Sequence, residues 1–141
     1  MKILNDKKEI ISVLNEFKQI LPSLKSGRVN IDDFADKILK NGHLCVFSQD
    51  QTIQGFSAFY ANDTQNKVAY LTMIAVKEEY RREGIGDKLL SFVEKESKLR
   101  GMKQLKLEVS ISNLGAIKFY EKHGFCILEQ NENAYYMIKN L

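Results

Sequence analysis

The chain opens with two segments whose apolar residues recur at the three- and four-residue spacing of an amphipathic helix. The first covers residues 7–24 and is interrupted at Pro22. The second runs to Lys40, and Asn30 or Asp32 can cap its start with a side-chain oxygen. Both segments are therefore predicted to be helices that lie with one face on a hydrophobic core.

Most of the remaining chain shows the short apolar runs or the two-residue alternation that are typical of strands. Tyr70–Val76 carries only one polar side chain, that of Thr72, which indicates a central strand covered on both faces. Within residues 103–110, positions 104–110 alternate between polar and apolar, as a strand with one solvated face does. Strands are predicted near residues 43–48, 52–62, 68–76, 103–110, 125–130 and 134–140, with a short one at 1–5.

Two more helices are predicted between these strands. One begins at Ile85 and ends near Gly101, and the other begins at Asn113, with Ser112 or Asn113 as its cap, and ends at Gly124. The inner face of the first is formed by Ile85, Leu89, Phe92 and Val93. The resulting order predicts an α/β (α+β) fold, in which a mixed central sheet carries helices on both faces. Its length of 141 residues predicts one domain over residues 1–141.

Composition excludes several classes of protein. A content of 44% hydrophobic and 28% charged residues argues against disorder, and a net charge of +3 is too small and dispersed to indicate nucleic-acid binding. No apolar run approaches the roughly 20 residues of a membrane span, so no membrane partner is expected. A cytoplasmic location is expected. Cys45 and Cys126 lack metal-ligand spacing, so we expect two reduced core residues and no metal site.

The most informative chemical pattern is the basic turn after the central strand, Arg81-Arg82-Glu83-Gly84-Ile85-Gly86. The first N–H groups of a helix have no intrahelical partner, and the helix dipole adds partial positive charge there, so a phosphate group is stabilised. Gly84 and Gly86 remove side chains that would keep a ligand away, and they permit the positive φ values that make N–H groups converge. Arg81 and Arg82 add positive charge at the mouth of the turn.

With this spacing, Arg81-x-x-Gly84-x-Gly86 resembles the acyl-CoA-binding loop of the Gcn5-related N-acetyltransferases, the GNAT superfamily. A second match lies in residues 113–125, which read N-x-x-A-x-x-x-Y-x-x-x-G-F. The resemblance is close over residues 68–125 and implies a GNAT-like fold with acetyl-CoA as co-substrate. It assigns the cofactor's diphosphate to Arg81, Arg82, Glu83, Gly84, Ile85 and Gly86.

The same resemblance implies roles for residues on either side of the loop. The backbone groups of Ile74 and Val76 are expected to pair with the amides of the pantetheine arm, because a splayed strand leaves them free. The side-chain amide of Asn113 is expected to contact the same arm, and this role is compatible with capping the helix.

Two candidate catalytic residues follow from the family pattern. Tyr120 matches the tyrosine near the sulfur of CoA and is the candidate acid for the departing thiolate; the alternative is a tyrosine of the core. Glu108 matches a glutamate that some members use through a water, and it is the candidate base for the amine. A solvated carboxylate on the polar face of the strand is an equally open interpretation of Glu108.

The expected activity is direct acetyl transfer from acetyl-CoA to a primary amine of a small molecule or peptide, within a ternary complex. The alternative is a non-catalytic acyl-CoA-binding regulatory or interaction protein with the same fold. Acceptor specificity is expected to come from residues 23–30, the strand turns and the C-terminal hairpin. The last strand is expected to be exposed, which leaves a homodimer through its edge open.

Overall fold

The computed structural model describes residues 1–141 and joins all seven strands in one mixed sheet, in the order β1-β2-β3-β4-β5-β7-β6. Only the β4–β5 contact is parallel. The strands are β1 Lys2–Ile3, β2 Gly42–Gln49, β3 Thr52–Tyr60, β4 Val68–Val76, β5 Gln104–Ser110, β6 Cys126–Gln130 and β7 Ala134–Asn140. The α-helices are α1 Lys7–Glu16, α2 Pro22–Lys25, α3 Ile31–Asn41, α4 Ile85–Leu99 and α5 Leu114–Lys122.

The helices cover both faces of this sheet, which confirms the predicted fold class. Strand β3 shows the division, because consecutive residues point to opposite faces. A Cβ at Gly55 would meet Leu89 and Ile85 of α4, whereas Phe56 packs edge-on against Phe17 with ring centroids 5.0 Å apart. One hydrophobic core thus lies under α1 and α3, and a second lies under α4 and α5.

The predicted helix over residues 7–24 is wrong in its length. Helix α1 ends at Glu16, a 3-10 turn occupies Lys18–Ile20, and α2 starts at Pro22. Proline has no N–H to donate and its ring collides with the carbonyl four residues earlier, so a helix does not continue through it. At the first position of a new helix neither cost applies, and Pro22 stands there.

The predicted caps and most boundaries are confirmed. Asn30, rather than Asp32, caps α3, since its Oδ1 accepts a hydrogen bond from the Asp33 N–H at 3.0 Å. Phe92 is only half-buried, because α4 turns Leu90 and Ser97 inward instead. Cys45 is buried as predicted, but Cys126 is exposed on β6. No helix of the chain is both long and apolar enough to cross a bilayer.

The prediction that the last strand is an exposed edge is wrong. Strand β7 pairs with β5 on one side and with β6 on the other, so it lies inside the sheet and β6 is the edge strand. The burial pattern gives the reason: Met137 of β7 is buried in the second core and Ala134 is buried as well, whereas every residue of β6 is exposed. A dimer through the edge of the last strand has no free edge to use.

Candidate cofactor and acceptor site

The site begins where β4 and β5 separate. The two strands pair only between Val68–Leu71 and Gln104–Leu107. Beyond Leu71, β4 continues to pair with β3 as far as Val76, and β5 continues to pair with β7. The edge of β4 that faced β5 therefore has no strand partner over residues 72–76, and its backbone groups are available for a ligand.

Two cavities lie next to each other along this unpaired edge. One, of about 620 Å³, includes residues 74–76, and the other, of about 1200 Å³, includes residues 71–73. Because Met73 and Ile74 are consecutive, a ligand that follows β4 passes from one cavity into the other. We call them the cofactor cavity and the acceptor cavity below, after the roles predicted from the sequence for Gly84 and Glu108 in their linings.

A row of unpaired backbone donors borders the cofactor cavity. None of the six N–H groups of residues 82–87 has a hydrogen-bond acceptor within the chain, and the first bond of this region runs from the Lys88 N–H to the Gly84 carbonyl at 3.1 Å. Arg82 and Gly84 both have positive φ, 68° and 78°. Left-handed residues in such a turn direct successive N–H groups toward one point, which forms an anion-binding nest.

Arg81 has a structural contact in addition to its charge. Its Nε donates a hydrogen bond to the Val76 carbonyl at 3.1 Å, which closes the loop onto the end of β4. The Val76 carbonyl is thus already engaged within the chain. Its neighbour Arg82 is exposed, and both arginines line the cofactor cavity.

Helix α5 forms the opposite wall of the cofactor cavity. Asn113 caps the helix, since its Oδ1 accepts a hydrogen bond from the Ala116 N–H at 3.2 Å. Its amide NH₂ has no partner in the chain and remains free to donate. A Cβ on Gly86 would lie 3.5 Å from the Phe119 ring, so Gly86 also lets α4 and α5 approach each other. The residues of this wall are Asn113, Gly115, Ala116, Phe119 and Lys122.

Tyr120 lies behind this wall rather than in the lining of either cavity. It is only 7% exposed, and its ring packs against Phe119 and Phe125 with centroids 5.4 and 5.6 Å away. Burial raises the pKa of its phenol to about 12. Asn113, Ala116 and Tyr120 are three and four residues apart, so they share one face of α5. The Tyr120 hydroxyl has no hydrogen-bond partner in the chain and is not fully sealed from solvent.

Glu108 lies in the acceptor cavity between two tyrosines. The Tyr136 hydroxyl donates a hydrogen bond to its Oε1 at 3.3 Å, and the charge of Glu108 is the main cause of the raised pKa of Tyr136. Burial, and then the charge of Glu108, raise the pKa of Tyr70 to about 12. Both phenols therefore keep their protons beside the carboxylate at neutral pH.

Sequence reasoning did not single out Tyr70 or Tyr136. Tyr136 is the register partner of Glu108 across the β5–β7 pair, and Tyr70 lies on the neighbouring strand β4. Two-residue alternation could have placed each tyrosine on a strand, but the order of the strands was needed to bring them to one carboxylate.

Part of the remaining wall of the acceptor cavity comes from segments that were predicted to control specificity, and part comes from helix α3, which was not among them. Arg28 and Val29 belong to the segment between α2 and α3, and Asn133 and Ala134 belong to the C-terminal hairpin. Helix α3 adds both charges and an aromatic ring through Asp33, Phe34 and Lys37.

Comparison with known proteins gives consistent matches. Residues 10–125 match the model of the family described as Acetyltransferase (GNAT) family. N-alpha-acetyltransferase 50 of Danio rerio is 32% identical over 111 residues, which cover 77% of this chain and 66% of that protein. The chain spans between 23% and 66% of the length of the curated relatives it matches.

Solved structures share the fold over nearly the whole chain. The ribosomal-protein-S18-alanine N-acetyltransferase from Escherichia coli superposes with a TM-score of 0.80 at 24% identity, covering 99% of this chain and 92% of that one. The PaiA N-acetyltransferase from Thermoplasma acidophilum, in complex with coenzyme A, superposes with a TM-score of 0.77 at 21% identity, covering 99% and 98%.

Proposed function

The chain belongs to the GNAT acetyltransferase family, and on that premise we propose that it is an acetyl-CoA-dependent N-acetyltransferase. It transfers the acetyl group to a primary amine of a small molecule or a protein by direct attack within a ternary complex. The observation that carries this proposal is the continuity of three features: the row of free N–H groups at 82–87, the unpaired edge of β4, and the cavity that holds Glu108.

The chain's own groups fit the diphosphate and the pantetheine arm of CoA. Its diphosphate accepts hydrogen bonds from the N–H groups of residues 82–87, assisted by the charges of Arg81 and Arg82 and by the dipole of α4. Its pantetheine amides pair with the free edge of β4 at Ile74 and with the amide NH₂ of Asn113. The Val76 carbonyl already accepts a hydrogen bond from Arg81, so the contact of Val76 with the pantetheine arm is through its backbone N–H.

The acceptor amine must lose a proton before it can attack. An ordinary amine has a pKa of about 10 and is protonated at neutral pH, so a base is needed. Glu108 lies in the acceptor cavity and takes that proton through a water, while the Tyr136 hydroxyl stays protonated and holds the carboxylate by its hydrogen bond.

Tyr120 acts on the leaving sulfur as a hydrogen-bond donor. A phenol with a pKa of about 12 is a poor source of a fully transferred proton for a thiolate, whose usual pKa is near 8.5. A buried, neutral donor nevertheless stabilises negative charge as it develops on the sulfur. This refines the general-acid role predicted from the sequence.

The function is tested by measuring release of free CoA from acetyl-CoA across a panel of amines. The names of relatives such as N-alpha-acetyltransferase 50 direct the first choice to peptides with a free N-terminal α-amine, followed by small amines. Turnover with any amine supports the proposal. Stabilisation by CoA in a thermal-shift assay without turnover would favour the non-catalytic CoA-binding alternative.

Replacing Glu108 by glutamine should lower kcat/KM at neutral pH by about 10²–10⁴-fold, the usual range for a general base. The deficit should shrink as the pH rises toward 10, because the amine then deprotonates without help. The measurement is kcat/KM for the best acceptor as a function of pH. Glu129→Gln, at an exposed carboxylate on β6, is the matched control. A deficit that does not change with pH would mean that Glu108 is a solvated carboxylate on the strand surface and not the base.

Replacing Asn113 by serine separates its two roles. Serine is as good an N-cap as asparagine, so the melting temperature should change little. Loss of the amide NH₂ should weaken CoA binding about three- to tenfold, the size of one net hydrogen bond. Asn30→Ser, at the cap of α3 outside the cofactor cavity, is the control. Unchanged CoA affinity in Asn113→Ser would limit Asn113 to capping.

A further inference from the structure

One pair of side chains joins the two helices that border the cofactor cavity. The Nε2 of His123 lies 2.6 Å from the Oδ1 of Asp87. Asp87 is in the first turn of α4, and His123 is the residue that ends α5. A nitrogen–oxygen distance this short is typical of hydrogen bonds in which a group is charged.

Asp87 places a carboxylate beside the anion-binding row. Its backbone N–H is the last of the six free donors, and its Oδ2 is the atom nearest to a Cβ built on Gly84, at 3.9 Å. Asp87 also lines the cofactor cavity. The diphosphate of CoA would therefore bind close to a negative charge, which weakens binding unless that charge is balanced.

His123 is held where it can balance this charge. Its ring packs on Phe119 with centroids 4.7 Å apart, and Phe119 in turn packs against Gly86. The backbone N–H of His123 donates to the carbonyls of Phe119 and Tyr120. The side chain is only 19% exposed, so its position is set by packing.

We propose that His123 determines cofactor affinity, because as an imidazolium bound to Asp87 it neutralises that carboxylate. CoA therefore binds with uptake of a proton, and its affinity rises as the pH falls. This inference rests on the proposed function, because it requires the diphosphate to bind at residues 82–87. Arg81, Arg82 and Lys122 line the cofactor cavity with Asp87, and Glu83 belongs to the same loop. On its other side Asp87 borders a smaller cavity that is also lined by Lys88, Lys95 and Met1, which carries the amino terminus. Lys139 of β7, paired with Glu94 of α4, lies beside Gly124. Of these kinds of group, only imidazoles and α-amines ordinarily change charge between about pH 5 and 8, and the His123→Gln variant separates the two.

The probe for the test is dephospho-CoA. It keeps the diphosphate and pantetheine but lacks the phosphate monoester, whose second ionisation near pH 6 would mask that of a histidine. Calorimetric titrations of the full chain between about pH 5.5 and 8.5 should show a Kd that falls about three- to tenfold with falling pH, the size of one partly screened charge pair. The enthalpy should vary with the ionisation enthalpy of the buffer, as proton uptake requires.

Three variants identify the group. His123→Gln leaves the carboxylate unbalanced, so affinity should drop about three- to tenfold at the lowest pH and the pH slope should vanish. Asp87→Asn/His123→Gln removes both charges, so its affinity should recover, with no slope. Glu96→Gln removes a carboxylate of α4 that pairs with Arg100 at the far end of the helix, and it should retain the wild-type slope.

A merely structural pair would lower the melting temperature of His123→Gln and leave the pH slope in place. The inference would be overturned by a pH slope of the Kd that persists in His123→Gln. It would also be overturned if the wild-type protein showed no such slope. Failure of dephospho-CoA and CoA to bind at any pH would instead overturn the proposed function, so the two failures are distinct.

Discussion

Replacement of Gly84 by valine is expected to remove measurable CoA binding while the protein still folds. Gly84 has a φ of 78°, and a Cβ built there meets no protein atom closer than 3.9 Å. The added side chain therefore points into open space beside residues 82–87, where the diphosphate is proposed to bind. If valine keeps two of these N–H groups from the phosphates, the loss is about 3–6 kcal/mol, or roughly 10²–10⁴-fold in Kd.

Strain at this position has to be separated from the steric block. A β-branched residue with positive φ destabilises any loop. Gly101 has a φ of 86° with no atom within 4 Å of its Cβ position, and it lies outside both cavities. Gly101→Val should show a comparable fall in melting temperature and unchanged CoA affinity by calorimetry. A folded Gly84→Val protein that binds CoA normally would remove the basis of the proposed function.

Replacement of Tyr120 by phenylalanine is expected to lower kcat by about 10²–10³-fold, the usual cost of one donor to a developing anion. The KM for acetyl-CoA should change little, because the ring that packs between Phe119 and Phe125 is kept. With a phenol pKa of about 12, raised by burial, the hydroxyl stays protonated through the neutral and mildly alkaline range. The ratio of wild-type to variant kcat should therefore be constant between about pH 6 and 9.

The control for this variant removes a phenol hydroxyl from the same core without touching either cavity. Tyr135 packs against the second core from β7 and, unlike Tyr120, does not belong to the helix that forms the wall of the cofactor cavity, so Tyr135→Phe should retain kcat. A Tyr120→Phe protein with an unchanged kcat and a raised KM would mark Tyr120 as a packing or binding residue. The sulfur would then receive its hydrogen bond from water.

Local signals predicted most elements well. The bounds of β4 and β7 agree with the structure, and α4 begins at Ile85 as its glycine-rich start indicates. Asn30 and Asn113 cap their helices because a cap depends on residues within one turn. The loop motif was also visible in the sequence, since the free N–H groups that are proposed to bind the diphosphate are consecutive in the chain.

The errors arose where a local pattern has two physical outcomes. The helical spacing of apolar residues over 7–24 fits either one long helix or two short ones. The structure has two, and Pro22 is the first residue of the second. In the last hairpin, either of the two strands could pair with β5, which would leave the other strand at the edge of the sheet. Burial of Ala134 and Met137 places β7 inside, and β6 is left at the edge.

The sequence by itself determined the periodicity of the elements, the caps and the position of the turn before α4, because each depends on neighbours along the chain. It did not predict that the second residue with positive φ in this turn is Arg82 rather than Gly86. Only the tertiary structure decided that β4 and β5 separate after Leu71, that Tyr70 and Tyr136 flank Glu108, and that His123 reaches Asp87. These contacts join segments that are distant in sequence. Which of them form depends on how the whole chain packs its two cores, and no local pattern specifies that.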